Sequence, residues 1–336
     1  MTTSEPLAGT SPRRLPSNGG GDDWRLFRGD GERRAVPFPA APPWRRFDRQ
    51  EPPTGAKVPY SRLYLIGPDE ADVVNAALHL RRPLLVTGQP GTGKSSLAHA
   101  VAHELALGRV LQWPVNSRST LQDALYQYDA VGRLREATLR RDADGPEPDI
   151  GQYIRLGALG NALVPRERPR VLLIDELDKG DVDLPNDLLT VFEEGEFAIP
   201  ELTRLSEGRA EVHVETDDPD APASVSRGRI RCSEFPIVII TSNGERDFPP
   251  AFLRRCVRLD LPEPNERRLR EIVAAHLGPD ALDDVDDLLQ DFLERRAAGE
   301  LATDQLLNAV FLRKGGVDLD APSLLRAVLH QLGGAV

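Results

Sequence analysis

The stretch PLLVTGQPGTGKSSLAHA, Pro83 to Ala100, sets a glycine-rich turn between an apolar run and a helix-forming one. Pro-Leu-Leu-Val-Thr reads as a short buried strand, and Ser95 to Leu107 keeps helical spacing. Gly88, Gly93, Lys94 and Ser95 match G-x-x-x-x-G-K-[ST]. Glycines let the backbone curl until its N–H groups point into one hollow. The following helix adds its positive N-terminal end, a lysine reaches terminal phosphates, and a hydroxyl ligates magnesium. The turn therefore reads as a phosphate cradle made by Gly88, Gln89, Pro90, Gly91, Thr92, Gly93, Lys94, Ser95 and Ser96, with Ser95 on the metal.

A second apolar run, VLLIDELDK (Val171 to Lys179), ends in Asp175 and Glu176. In open α/β sheets ligands collect at the carboxyl ends of strands. Asp175 is placed to hold the magnesium shell and Glu176 to orient or deprotonate an attacking water. Asp178 and Lys179 read as structural or surface residues. A third run, IVIITSNGERDFPPAFLRRC (Ile237 to Cys256), ends in polar Thr241, Ser242 and Asn243. Asn243 stands beside the phosphates if this strand lies between those ending at Gly88 and Asp175.

Candidate strands at Val110 to Val115 and at Val257, Leu259 and Leu261 complete the series. Strands alternating with helical segments imply a mainly parallel sheet covered on both faces. Between the third and fourth core strands, Phe197 to Pro200, Glu211 to Thr216 and Arg229 to Cys232 alternate like hairpin strands, with an acidic linker at Asp217 to Ala223. After Pro264 the periodicity is helical: Leu269, Ile272, Val273 and Leu277, then Val285, Leu288, Leu289 and Phe292, then Leu325, Val328, Leu329 and Leu332. The expected division is an arm at 1–58, an α/β core at 59–263 and a small helical domain at 264–336.

The arm is rich in Pro, Gly, Arg and acidic residues, a composition that supports no packed core and predicts disorder. The first reading is a solvated tail; the alternative is that its aromatics, in WRLF (Trp24 to Phe27) and PWRRF (Pro43 to Phe47), anchor on a partner or on the chain's own body. Net charge is −11 over 336 residues; residues 1–60 carry ten Lys and Arg against seven Asp and Glu, +3, leaving −14 elsewhere. An acidic body argues against broad capture of nucleic acid. No apolar run approaches the ~18–20 residues of a membrane helix. The N-terminus lacks the apolar stretch of a secretory signal, and two cysteines make no disulfide framework, so a reducing, cytoplasmic compartment is expected.

These ordered motifs resemble the AAA+ ATPases, and within them the MoxR-like group, over about residues 60–336. In those terms GQPGTGKS is similar to Walker A, LLIDELD to Walker B, and Asn243 to the first sensor. Arg255 matches the arginine finger, following PPAFL and preceding the last strand, with Arg254 as its competitor. Arg326, in APSLLRAVL, resembles the second sensor on a helical lid. The MoxR-like assignment draws also on NDLLTVFEEGEFAIPE (Asn186 to Glu201) and on Asn116 to Asn161, which resembles an insert in the second helix of the core.

The resemblance implies a P-loop AAA+ core with a five-stranded, mainly parallel sheet and a helical lid. It implies ATP and Mg2+ as ligands, a homo-oligomer, typically a hexamer in the family, and remodelling of a protein client. No N-K-x-D guanine pattern occurs, so ATP is expected over GTP. Two other readings stay open: a nucleotide-controlled switch with slow turnover, against which Glu176 and Arg255 weigh, and a clamp-loader or helicase-like machine on DNA, against which the acidic body weighs.

Overall fold

The computed structural model describes residues 26, 38–45, 64, 66–142, 148–205, 210–216, 222–283, 285–298, 301–317, 319 and 322–329. Most of the expected arm, most of the acidic linker and residues 143–147 lie outside them. The described residues fall into two compact units, one within 51–264 and one joining 265–336 with residues of 1–50.

In the larger unit eleven strands follow in order: β1 (Leu84–Thr87), β2 (Leu111–Pro114), β3 (Tyr126–Tyr128), β4 (Ile154–Leu156), β5 (Val171–Asp175), β6 (Glu196–Ala198), β7 (Glu211–Val214), β8 (Ala223–Ser226), β9 (Arg229–Arg231), β10 (Ile237–Ser242) and β11 (Val257–Asp260). Five of them form the expected sheet, in the order β11-β1-β10-β5-β2, with every pairing parallel. Register sets Leu84 against Ile239 and Val257, and Ile239 against Leu173.

Alternate residues of the three inner strands, β1, β10 and β5, enter different cores. Leu85, Leu172, Ile174 and Ile240 belong to one apolar cluster, whereas Leu84, Val86, Leu173 and Ile239 belong to another with Leu97, Ala98 and Val101 of the helix Lys94–Glu104. The inner strands are covered on both faces and have no solvent side, which is why they read as unbroken apolar runs, whereas β2 and β11 at the sheet's edges alternate.

Between β2 and β5 the sequence resembling an insert folds as helix Leu121–Leu125, strand β3, helix Ala130–Asp142, strand β4, which pairs antiparallel with β3, and helix Ala158–Ala162. Between β5 and β10 lies a four-stranded sheet, β6-β9-β8-β7, with antiparallel pairing. Its strand β8 begins at Ala223, the residue that closes the acidic linker. The β8–β9 turn is made by Arg227 and Gly228, both at positive φ (50° and 68°), the conformation of a type I′ hairpin.

The smaller unit contains helices Glu266–Leu277, Asp286–Ala298, Thr303–Lys314 and Pro322–Val328. Leu269, Phe292, Leu306 and Ala309 are fully buried in its core. Helix Thr303–Lys314, which the sequence reading did not single out, carries the centre of that core on Leu306, Leu307 and Val310. Trp44, in a short 3₁₀ turn at Pro43–Arg45, packs on this core, so it takes the second role open to the arm's aromatics.

Candidate functional site

β1 ends at Thr87, and the chain turns through Gly88 (φ 145°), Gly91 (φ 78°) and Gly93 (φ 88°) before helix Lys94–Glu104 begins. Two of these glycines are fixed by more than φ. A Cβ on Gly88 would lie 2.7 Å from the backbone oxygen of Leu261, and one on Gly93 would lie 3.1 Å from the ring of Tyr64. Thr92 closes the loop, its Oγ1 donating to the Gln89 carbonyl at 2.9 Å. Pro90 is half-buried, and Gln89, Gly91 and Ser96 are exposed.

The Lys94 ammonium folds back into the hollow and donates to the carbonyls of Gly88 at 2.7 Å and Gln89 at 2.9 Å. Only 7% of the residue is accessible. Burial pushes its pKa down, opposed by the carboxylates of Asp178, Glu176 and Asp175. A cation in a hollow ringed by backbone, at a helix N-terminus, is the arrangement that takes a phosphate oxygen.

Because β10 lies between β1 and β5, the carboxyl ends of three strands meet. Ser95 Oγ donates to Asp175 Oδ1 at 2.7 Å, and Thr241 Oγ1 donates to the same oxygen at 2.6 Å. This oxygen-only pair, hydroxyl plus carboxylate, suits a hard divalent cation such as Mg2+. The backbone N–H of Glu176 donates to Thr241 Oγ1 at 2.8 Å. Thr241 thus ties both acids of β5 to β10, a role the sequence reading did not assign. Its signal was a hydroxyl ending an otherwise apolar strand.

Glu176 sits at φ 59°, ψ 50°, a left-handed conformation that non-glycine residues seldom adopt. Its Oε1 is reached by Asn243 Nδ2 at 3.4 Å and by Lys179 Nζ at 2.9 Å. Strain of this kind persists only where the surroundings over-determine it, and it gathers at functional sites.

Asp178, read from sequence as structural or surface, is buried, with 3% accessible. Its Oδ2 accepts the backbone N–H groups of Asn243 and Glu245, both at 3.0 Å. It fixes the loop that presents Asn243.

Arg255 and Arg254 follow the short helix Pro250–Leu253 and are both exposed. Arg255 is ion-paired with Glu193 and donates from Nη1 to the Ala251 carbonyl at 3.1 Å; Arg254 Nε donates to the Pro250 carbonyl at 3.2 Å. Arg255 precedes Val257, which pairs with Leu84 at the start of β1. It therefore stands at the amino ends of the strands, whereas the phosphate loop stands at their carboxyl ends. Arg326 lies in helix Pro322–Val328, and its side chain is outside the described residues.

A parallel sheet that brings a glycine loop, a lysine and a hydroxyl to the acid-bearing end of a neighbouring strand defines a P-loop α/β protein of the AAA+ class. Residues 83–256 match the family model of the AAA domain, dynein-related subfamily, and the chain belongs to that family. No curated protein matches it. Among solved structures it is similar to NtrX from Brucella abortus in complex with ADP, at 16% identity and a TM-score of 0.41 over 80% of this chain and 55% of that one. The same protein in complex with ATP gives 16% identity and 0.42, over 84% and 58%. The chain thus spans little more than half the length of those structures, and a likeness of this size adds nothing to the family assignment.

Proposed function

We propose that this protein binds ATP with Mg2+ and hydrolyses it, as a MoxR-like AAA+ motor that remodels a protein partner from within a homo-oligomer. The observation that carries the hydrolytic reading is the Ser95–Asp175–Thr241–Glu176 chain of hydrogen bonds, which joins the phosphate loop to a strained, water-facing acid.

The residues present fit the ligands. Positive φ at Gly88, Gly91 and Gly93 curls the loop, and Lys94 stands in it ready to exchange carbonyl partners for phosphate oxygens. Ser95 and Asp175 would hold the Mg2+ ion, which neutralises charge on the phosphates when bound. Glu176 Oε1 and Asn243 Nδ2, already hydrogen-bonded, are the acceptor and donor that orient a water, and Glu176 takes its proton as it attacks the terminal phosphate.

Oligomerisation is supported by the place of Arg255. It stands at the opposite end of the sheet from its own phosphate loop, so its guanidinium suits a neighbour's nucleotide better than its own. The MoxR-like reading is supported by the folded segments between β2 and β5 and between β5 and β10, which offer surface beyond the ATPase core.

The test separates binding from chemistry. Lys94→Ala should abolish ATP binding, whereas Glu176→Gln should keep it and stop turnover, since Lys94 acts on ground-state phosphate and Glu176 on water. Equal loss of affinity in both folded variants, by calorimetry, would overturn the assignment. Glu176→Gln also provides the trap from which a client is recovered.

A further inference from the structure

Trp44 is seated in the helical unit by two contacts of different kinds. Its indole Nε1 donates to Asn308 Oδ1 at 3.2 Å, and its ring meets Phe311 edge-on, centroids 5.8 Å apart at 68°. Asn308 and Phe311 are three residues apart on helix Thr303–Lys314 and so share a face. The approach is set by a tight turn, with the Arg45 N–H donating to the Pro42 carbonyl at 2.8 Å. An apolar wall with one acceptor for an indole N–H is a specific receptor for tryptophan, because a phenyl ring leaves that acceptor unmatched.

The chain contains three tryptophans. Trp113 is buried in the core of the larger unit. The other two stand in the same tetrapeptide pattern, Trp-Arg-x-Phe: Trp44–Phe47, whose tryptophan occupies the groove, and Trp24–Phe27. Asp22 stands where Pro42 opens the observed turn, and aspartate is favoured at that position. We infer that the groove at Asn308 and Phe311 reads Trp-Arg-x-Phe segments and that Trp24–Phe27, of which only Leu26 lies among the described residues, is its second occupant.

The experiment uses the full chain carrying Trp24→Ala and Trp44→Ala, and a fluorescein-labelled peptide of residues 20–31, GGDDWRLFRGDG, read by anisotropy. Saturable binding is expected, lost when the peptide carries Trp24→Ala and weakened when the chain also carries Asn308→Ala. The unmodified chain should bind the peptide on the order of tenfold more weakly, since a tethered Trp44 competes at an effective concentration near millimolar. Should Trp44→Ala unfold the helical unit, Trp44→Leu keeps an apolar plug without the indole, and the peptide should displace it. Absence of binding to a folded variant overturns the inference, as does equal binding to the variant and to the unmodified chain.

Discussion

Asp178 Oδ2 accepts the backbone N–H of Asn243 at 3.0 Å, and the N–H of Glu245 at the same distance. A buried carboxylate thus holds the loop that aims Asn243 Nδ2 at Glu176. Asp178→Ala should leave ATP binding within a few-fold of normal yet lower turnover by roughly 10- to 100-fold, because a 1 Å misplacement of an orienting group has costs of that size. Asp178→Asn retains an oxygen acceptor and should recover most of the turnover in steady-state assays. If Asn and Ala behave alike, the charge beside Lys94, and not the loop geometry, is what matters.

Gly88 combines φ 145° with a backbone oxygen 2.7 Å from where a Cβ would lie. Gly88→Ala should destabilise the larger unit by ~1–3 kcal/mol and remove ATP affinity. For a unit of this size that corresponds to a fall of several degrees in Tm, measurable by calorimetry. A stable Gly88→Ala protein with normal affinity would show that the loop takes another path.

Burial pushes the Cys256 thiol up to about 12, and Cys232 is raised for the same reason. At pH 8.5 an ordinary thiol is about half ionised, whereas Cys256 stays almost wholly neutral, so native alkylation should be slow and unfolding should restore it. The sign follows from linkage. The neutral thiol of the fold contributes stability below the ordinary thiol pKa, and that contribution is lost as pH rises from about 8.5 towards about 12. Mass spectrometry after timed iodoacetamide treatment reads the first effect, and denaturant midpoints against pH read the second.

The central sheet was legible because its three inner strands are apolar nearly throughout and each runs into a polar or glycine residue with a chemical role. These are Gly88 after Thr87, Asp175 at the end of β5, and Asn243 after Ser242. Burial on both faces leaves few alternatives for such runs. Strand β8 was hidden because its turn places an arginine at positive φ, where Asn-Gly would have announced a hairpin. The antiparallel pair β3 and β4 was hidden by length, since three-residue strands give too few alternations to count. Within the site, the motif residues were readable and their supports were not. Thr241 and Asp178 act through register and loop closure, which only the placement of β10 beside β5 creates, while Lys179 pairs with Glu176 from within its own loop.

The place of Arg255 leads to the most discriminating experiment. Its guanidinium is exposed and ion-paired with Glu193, at the amino ends of the strands, away from the Lys94 loop of its own chain. If it stabilises charge on a neighbour's terminal phosphate, Arg255→Ala should bind ATP normally and lose on the order of 10³ to 10⁵ in turnover. Lys94→Ala has the converse defect, a dead loop beside a usable arginine. Mixing the two inactive proteins creates interfaces in which an intact loop faces an intact arginine, so ATPase activity should reappear. Exchange of subunits is established first by co-precipitating differently tagged chains. If mixed assemblies form and activity stays at the level of either variant alone, Arg255 does not act in trans, and Arg254, one residue away and equally exposed, takes its place as the arginine to test.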